Sequence, residues 1–170
     1  MFFDERVALF NVEASSSKEV IKIAADELYR RGIVKEDFFE HVLLREKEFP
    51  TGLATDKYGI AIPHTDSKYV NRSQIEFVSL KSPVKFKNMG NASEDIEVTH
   101  VFMIAMSQPH EQAETLAKLM GLFSDEELMQ RMYECSSKEE YESILKEKGF
   151  FQMQRSVPYA AERLGVTKYT

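Results

Sequence analysis

The hydrophobic periodicity of the chain changes twice, and this pattern constrains the fold more than any other feature. From Ser16 to Pro50, apolar residues recur at the three- and four-residue spacing of amphipathic helices. Between Pro50 and Pro109 they form alternating or continuous runs typical of strands, and after Pro109 the helical spacing returns. Helices before and after a group of strands indicate an α/β (α+β) fold, in which helices flank a mixed β-sheet.

The individual segments follow from the same pattern. A first helix begins at Ser16, which has capping-box spacing with Glu19, and ends before Gly32. Further helices are predicted over 35–48, from 109 onward, over 125–134 and over 137–147. Strands are predicted over 7–14, 59–64, 74–80, 84–87 and 97–106. Because Pro83 separates two of these strands, we expect an antiparallel pair joined by a turn there.

The composition argues against several classes of protein. The 170 residues carry a net charge of −6 without a concentrated stretch of Lys and Arg, which argues against a nucleic-acid-binding surface. No apolar stretch approaches the length of a membrane span, and the acidic start of the chain is unlike a signal peptide. A single cysteine, Cys135, excludes an internal disulfide and a cysteine-based zinc site. We therefore expect a cytoplasmic protein without direct membrane insertion.

The segment GIAIPHTD, residues 59–66, ends an apolar strand on a histidine. Pro63 has a fixed φ and favours an extended conformation at Ile62, so the backbone that leads into His64 is stiff. A neutral imidazole held in one orientation is a competent nucleophile near neutral pH. The alternative is a histidine that is satisfied by hydrogen bonds at the end of a strand.

Arg45 and the pair Thr51-Gly52 are candidates for an anion site. Arg45 follows Phe38 and Val42 at helical spacing, so it lies on the inward face near the end of its helix. Its planar guanidinium suits a phosphoryl group. The alternative is an arginine whose side chain only reaches past the core to solvent. Thr51-Gly52 follows the end of that helix and is predicted to form a turn whose amides face an anion.

His110 is a second candidate for the same kind of chemistry. It follows Pro109 in the first turn of a helix, where unpaired N–H groups favour an anion. Its spacing from Ala113, Ala117 and Met120 predicts that all four residues share the inward face. The alternative is a histidine that caps the helix or packs against the core.

The remaining reactive side chains are interpreted as structural. His41 lies on a helix flank, His100 lies within the predicted strand 97–106, and Cys135 has no basic neighbour that would lower its pKa. The sequence contains no P-loop, dinucleotide-binding, nucleophile-elbow or zinc-helix motif.

The stretch REKEFPTGLATDKYGIAIPHTD, residues 45–66, resembles the signature of the mannitol/fructose-type (type 2) enzyme IIA domains of the bacterial sugar phosphotransferase system. In that signature an Arg-Glu pair ends a helix, Thr-Gly follows, and a Gly-Ile-Ala-x-Pro-His strand presents a histidine. The matching positions are Arg45, Glu46, Thr51, Gly52, Gly59, Ile60, Ala61, Pro63 and His64, and His110 takes the place of the family's second histidine. The resemblance covers residues 5–148.

This resemblance implies the mannitol-type IIA fold and a phosphoryl relay. The phosphocarrier HPr would phosphorylate His64 on Nε2, and a cysteine of enzyme IIB would take the group on towards the membrane component IIC. Arg45 and His110 would stabilise the phosphoryl group, with Thr51, Gly52 and Glu46 in its surroundings and no cofactor or metal. An acceptor at Nδ1, expected to be a backbone carbonyl, would orient His64. Residues 1–150 would form the IIA domain and 151–170 a C-terminal extension of it.

Two other functions are alternatives to the relay, and the relay itself has a candidate substrate. Similar domains sense phosphorylation state in nitrogen signalling or are fused to transcriptional regulators. No helix-turn-helix or attached domain is expected in this sequence, which favours a free subunit. The other alternative is a metal-dependent hydrolase that uses His64, His110 and Asp66. The segments IPHTDSKYV and TGLAT resemble the galactitol-type branch, so galactitol is the candidate substrate.

Overall fold

The computed structural model describes residue 3 and residues 5–149. Its helices are α1 (Ser17–Arg30), α2 (Phe38–Glu48), α3 (Pro109–Leu122), α4 (Glu126–Glu134) and α5 (Lys138–Glu147). Its strands are β1 (Ala8–Val12), β2 (Gly52–Ala54), β3 (Gly59–Ala61), β4 (Gln74–Asn88) and β5 (Asn91–Ala105), and a short 3-10 helix spans Ser67–Tyr69. The predicted C-terminal extension, 151–170, lies outside the described residues.

The five strands form one mixed sheet in the order β1-β4-β2-β3-β5, and β4 also pairs directly with β5. β4 and β5 form a long antiparallel hairpin, whereas β1 runs parallel to β4 and β3 runs parallel to β5. β2 pairs with β3 in the antiparallel sense and meets the end of β4 at Gly52 and Asn88. The predicted mixed sheet flanked by helices is thereby confirmed.

Helices cover both faces of the sheet. Val101 and Met103 of β5 pack into one core with α1 and α2, and their neighbours Phe102 and Ile104 pack into a second core with α3, α4 and α5. Successive side chains of a strand point to opposite faces, so a strand buried on both faces needs apolar residues at nearly every position. This explains the continuous apolar run that predicted the strand over 97–106.

Pro83 lies inside β4, so the predicted turn at that position is wrong. β4 pairs with β5 on both sides of Pro83, and the pairing register shifts between Ser79 and Val84. Proline has no N–H to donate, and a strand tolerates it where the ladder is already irregular. The hairpin turns instead at residues 89–90, and β5 begins at Asn91, earlier than predicted.

The helix boundaries agree in part with the sequence pattern. Ser16 caps α1 by accepting a hydrogen bond from the Glu19 N–H at 3.2 Å, as predicted, and Gly32 has a φ of +74° just after the helix. The helix predicted over 35–48 begins only at Phe38. Within the described residues, we find no helix of the length and apolar character that crossing a membrane requires.

Candidate functional site

His64 lies just beyond the end of β3, between two segments that fix its backbone. The Pro63 carbonyl accepts a hydrogen bond from the Ile104 N–H of β5 at 3.0 Å, so the pairing of β3 with β5 continues up to the histidine. The residue is buried, with 7% of its surface exposed. The predicted stiff approach to His64 is therefore present, because proline fixes one torsion and the sheet holds the peptide.

The His64 ring is oriented by the backbone two residues before it. Its Nδ1 lies 2.8 Å from the carbonyl oxygen of Ile62. Since a carbonyl only accepts, Nδ1 carries the proton and donates, which leaves the lone pair on Nε2. The sequence-based expectation of a backbone acceptor at Nδ1 is confirmed, and the acceptor is Ile62.

The surroundings favour the neutral form of this ring. The pKa of His64 is lowered from its ordinary value, chiefly because burial disfavours the charged imidazolium. The hydrogen bond to Ile62 and the carboxylate of Asp66 raise it, and the positive charge of Arg45 lowers it. A buried neutral imidazole with a lone pair on Nε2 has the properties of a nucleophile.

Arg45 projects from the last turn of α2 towards the same region. Its guanidinium lies 5.2 Å from the centre of the Phe49 ring, and its charge reaches His64 strongly enough to affect the histidine pKa. The Nε atom is buried and has no hydrogen-bond partner among the described residues. A buried N–H without an acceptor is costly, and an anionic group beside His64 would satisfy it.

Glu46 and Thr51 bind each other. The backbone N–H of Thr51 donates to Glu46 Oε2, and the Thr51 hydroxyl donates to Oε1, both at 2.8 Å. The anion that this backbone amide faces is thus the Glu46 carboxylate. The predicted turn at Thr51-Gly52 is instead the entry to β2, where a Cβ on Gly52 would lie 2.6 Å from the Lys87 carbonyl oxygen. Contact of these residues with a phosphoryl group stays a prediction.

His110 is the second residue of α3, and its side chain is exposed. The predicted inward face is wrong: Ala113, Ala117 and Met120 are exposed too, and α3 buries Thr115 and Leu119 instead. The spacing predicted the wrong face because the exposed side of α3 carries small and apolar residues. The start of α3 follows closely after β5, which contacts Pro63 through Ile104, so His110 remains at the same edge of the sheet. Its role stays a prediction.

Several buried polar groups near the site gave no signal in the sequence. The Ile62 carbonyl is a backbone group, which any residue supplies. Ser67 Oγ, shortly after His64, and Gln112 Oε1, in the first turns of α3, are buried without a hydrogen-bond partner among the described residues. Only the structure reveals such atoms, because their burial depends on packing between distant segments.

The other reactive residues have structural surroundings. His100 is buried, donates from Nε2 to the Met129 carbonyl and accepts at Nδ1 from the Thr99 hydroxyl, both at 2.8 Å. His41 stacks on Tyr69 with ring centres 3.9 Å apart. Burial raises the pKa of Cys135 to about 11, so its thiol is protonated at neutral pH. Among residues 5–149, no group of three His, Cys, Asp or Glu side chains is arranged to hold a metal ion.

Comparison with protein-family models gives two matches. The model described as "Phosphoenolpyruvate-dependent sugar phosphotransferase system, EIIA 2" matches residues 1–148. A model described as an HTH domain matches residues 127–170, which runs against the expectation that this sequence encodes no helix-turn-helix. Where the two matches overlap, the described residues form α4 and α5, which pack on the sheet through Leu128, Met132, Tyr141 and Leu145.

Three known proteins illustrate the similarity. The galactitol-specific EIIA component of Escherichia coli K12 is 25% identical over 114 residues, which cover 67% of this chain and 75% of that protein. The transcriptional regulator ManR of Bacillus subtilis is 34% identical over 113 residues, covering 66% of this chain and 15% of ManR. The mannitol enzyme IIA of E. coli, solved in complex with phosphorylated enzyme IIB, has a TM-score of 0.67 at 25% identity and covers 83% of this chain and 94% of that one.

Proposed function

The chain belongs to the EIIA 2 family of the phosphoenolpyruvate-dependent sugar phosphotransferase system, and from that premise we propose that it is a phosphoryl-relay subunit in which His64 is the residue phosphorylated. The observation that carries the proposal is the hydrogen bond from His64 Nδ1 to the Ile62 carbonyl. It leaves the Nε2 lone pair available on a buried, neutral ring.

The proposed transfer needs few protein groups. Nε2 of His64 attacks the phosphorus of phosphorylated HPr in line, a P–Nε2 bond forms, and the breaking P–N bond returns its electron pair to the HPr imidazole. Transfer of this kind depends mainly on positioning and on stabilisation of charge on the phosphoryl oxygens. The buried Nε–H of Arg45 lacks an acceptor in the described residues and is suited to bind one of those oxygens.

The proposed acceptor is a cysteine of an enzyme IIB, and through IIB the phosphoryl group reaches a sugar or sugar alcohol carried by IIC. The mannitol enzyme IIA of E. coli, solved together with phosphorylated enzyme IIB, supports this choice of partner. The similarity to a galactitol-specific EIIA component makes galactitol the first substrate to test. We place this relay in the cytoplasm.

The experiment that tests the proposal is a reconstituted transfer. The full chain is incubated with phosphoenolpyruvate, enzyme I and HPr, and its intact mass is measured. We expect one added phosphoryl group that appears only when HPr is present. A mass that does not change, with HPr itself phosphorylated, would contradict the proposal.

A regulatory role is a second candidate because two observations favour it. These are the HTH-domain match over residues 127–170 and the similarity of 113 residues to part of ManR. In this alternative, phosphorylation of His64 reports the state of the relay, as in the nitrogen-type sensors. Retardation of genomic DNA fragments by the full chain, compared before and after phosphorylation, tests it. Transport predicts no DNA binding and transfer to IIB, whereas regulation predicts DNA binding that changes with phosphorylation.

A further inference from the structure

A continuous chain of hydrogen bonds leads from the end of α2 to the His64 ring. The Glu46 carboxylate accepts from the hydroxyl and from the backbone N–H of Thr51, each at 2.8 Å. The same hydroxyl oxygen accepts from the Ile62 N–H at 3.2 Å, and the Ile62 carbonyl accepts from His64 Nδ1 at 2.8 Å. Both polar backbone groups of Ile62 are thereby fixed, one by Thr51 and one by His64.

These hydrogen bonds have a defined direction. The Thr51 hydroxyl has one proton, which it gives to the carboxylate, and its oxygen is thereby free to accept from Ile62. If an amide replaced the carboxylate, the amide oxygen would still accept from the Thr51 N–H, but the amide NH2 would face the hydroxyl oxygen. The hydroxyl proton would then lose its acceptor. The arrangement therefore requires an accepting carboxyl oxygen of Glu46 opposite the hydroxyl of Thr51.

The positions of these residues in the fold support a function for this chain. Glu46 is buried, whereas its neighbours Lys47 and Glu48 on α2 are exposed. Thr51 is buried as well, at the entry to β2, whose pairing with β3 places it beside Ile62. Burying a carboxyl group costs free energy, so a buried Glu46 that accepts two hydrogen bonds from Thr51 suggests a role in the structure. The chain of hydrogen bonds that starts at Glu46 ends at the His64 ring.

We propose that Glu46 and Thr51 are positioning residues, which hold the Ile62 carbonyl against His64 Nδ1 and thereby keep the lone pair on Nε2. This inference rests on the proposed function, because it gives the two residues a task in presenting the phosphorylated nitrogen. They act through the backbone of Ile62. The tautomer of the unphosphorylated His64 ring reports their effect directly.

The first test measures that tautomer by 15N NMR of the imidazole nitrogens at a pH where His64 is neutral. In the unmodified chain we expect a protonated Nδ1 and an unprotonated Nε2. Thr51→Val keeps the shape of the side chain but removes the hydroxyl, and Glu46→Gln replaces the oxygen that accepts from that hydroxyl by an NH2 group. Both should populate the Nε2–H form. Thr51→Ser restores the hydroxyl and should restore the original signal, and Thr115→Val, a buried threonine of α3 outside this chain of bonds, should not change it.

The second test measures the rate of phosphorylation by HPr for the same four variants. Loss of one neutral hydrogen bond predicts a decrease of about three- to tenfold for Thr51→Val and Glu46→Gln. Thr51→Ser and Thr115→Val should react at the original rate.

Three results would overturn the inference: an unchanged tautomer and rate in Glu46→Gln, the same in a folded Thr51→Val, or a Thr51→Ser that behaves like Thr51→Val. If Thr51→Val does not fold, Glu46→Gln and Thr51→Ser decide. If the unmodified chain accepts no phosphoryl group, the proposed function fails, and the tautomer still tests the positioning.

Discussion

The carbonyl oxygen of Ile62 lies 2.8 Å from Nδ1 of His64, and this contact leaves the lone pair of the neutral ring on Nε2. Ile62 directly precedes Pro63, which favours the extended backbone that turns the carbonyl towards the ring. A proline in a short apolar strand and the tautomer of a histidine are thus linked by one hydrogen bond.

Arg45→Lys is expected to slow the phosphorylation of His64 by about ten- to a hundredfold, which corresponds to the loss of one charge-assisted hydrogen bond. Lysine keeps the positive charge but lacks the Nε–H and the planar fork of arginine. Arg131→Lys, at a half-buried arginine of α4 that pairs with Glu147, is the matched control and should react normally. Rates are compared after thermal stability has been shown to match. An Arg45→Lys rate equal to that of the control would mean that Arg45 only extends to solvent.

His110→Ala is expected to accept the phosphoryl group on His64 but to pass it to enzyme IIB about ten- to a hundredfold more slowly. The reason is the proposed hydrogen bond from its ring to a phosphoryl oxygen at the start of α3. His41→Ala, which removes a partly exposed histidine stacked on Tyr69, controls for the loss of an imidazole. Transfer from His110→Ala at the unmodified rate would leave His110 without a role in the relay.

Glu46→Gln is expected to make the stability of the protein less dependent on pH. Burial raises the pKa of Glu46 to about 7, although the two hydrogen bonds from Thr51 oppose the shift. Because this folded-state pKa lies above the ordinary value, Glu46 keeps its proton in the folded chain at pH values where the unfolded chain has lost it. Its contribution to stability is present below the ordinary pKa and is lost as pH rises towards about 7.

The loss amounts to roughly 2–3 kcal/mol over that range. Lys18, Lys47 and Lys87 line the cavity beside Glu46. Denaturant unfolding at a series of pH values measures the effect, with Glu48→Gln, at an exposed neighbour on α2, as the control. Parallel curves for Glu46→Gln and the unmodified chain would show that Glu46 does not titrate in this range.

Gly59→Ala is expected to destabilise the fold by about 1–3 kcal/mol. A Cβ at this first residue of β3 would lie 2.0 Å from the carbonyl oxygen of Glu97, so β3 would have to move away from β5. That movement would also displace His64 and slow its phosphorylation. Gly121→Ala, in α3, has nothing within 4 Å of the new Cβ and should be neutral or stabilising. Equal melting temperatures for the two variants would contradict the close approach.

The parts of the fold that the sequence predicted are those with a strong local pattern. The continuous apolar run at 97–106 identified a strand that is buried on both faces, and the capping pair Ser16 and Glu19 located the start of α1. β2 escaped prediction because it has three residues and depends on its pairing with β3. The turn predicted at Pro83 was wrong because a proline occurs both in turns and in strands whose pairing is irregular, and the sequence does not distinguish the two.

The candidate site divides in the same way. A motif marks His64 and a helical spacing marks Arg45, and the charge of Arg45 lowers the pKa of His64. Their part in phosphoryl transfer stays a prediction. The prediction that His110 faces inward was wrong because Ala113 and Ala117, which defined that face, are exposed. Alanine side chains are small, so their exposure costs little. The link from Glu46 through Thr51 to Ile62 depends on three separate segments, and no local pattern encodes a contact between segments.

The phosphorylation of His64→Ala decides whether His64 is the residue that carries the phosphoryl group. The unmodified chain, His64→Ala and His100→Ala are each incubated with phosphoenolpyruvate, enzyme I and HPr, and their intact masses are compared once all three are shown to be folded. We expect one phosphoryl group, labile in acid and stable in base, on the unmodified chain and on His100→Ala, and none on His64→Ala. A His64→Ala variant that gains the phosphoryl group as the unmodified chain does would show that another residue is phosphorylated.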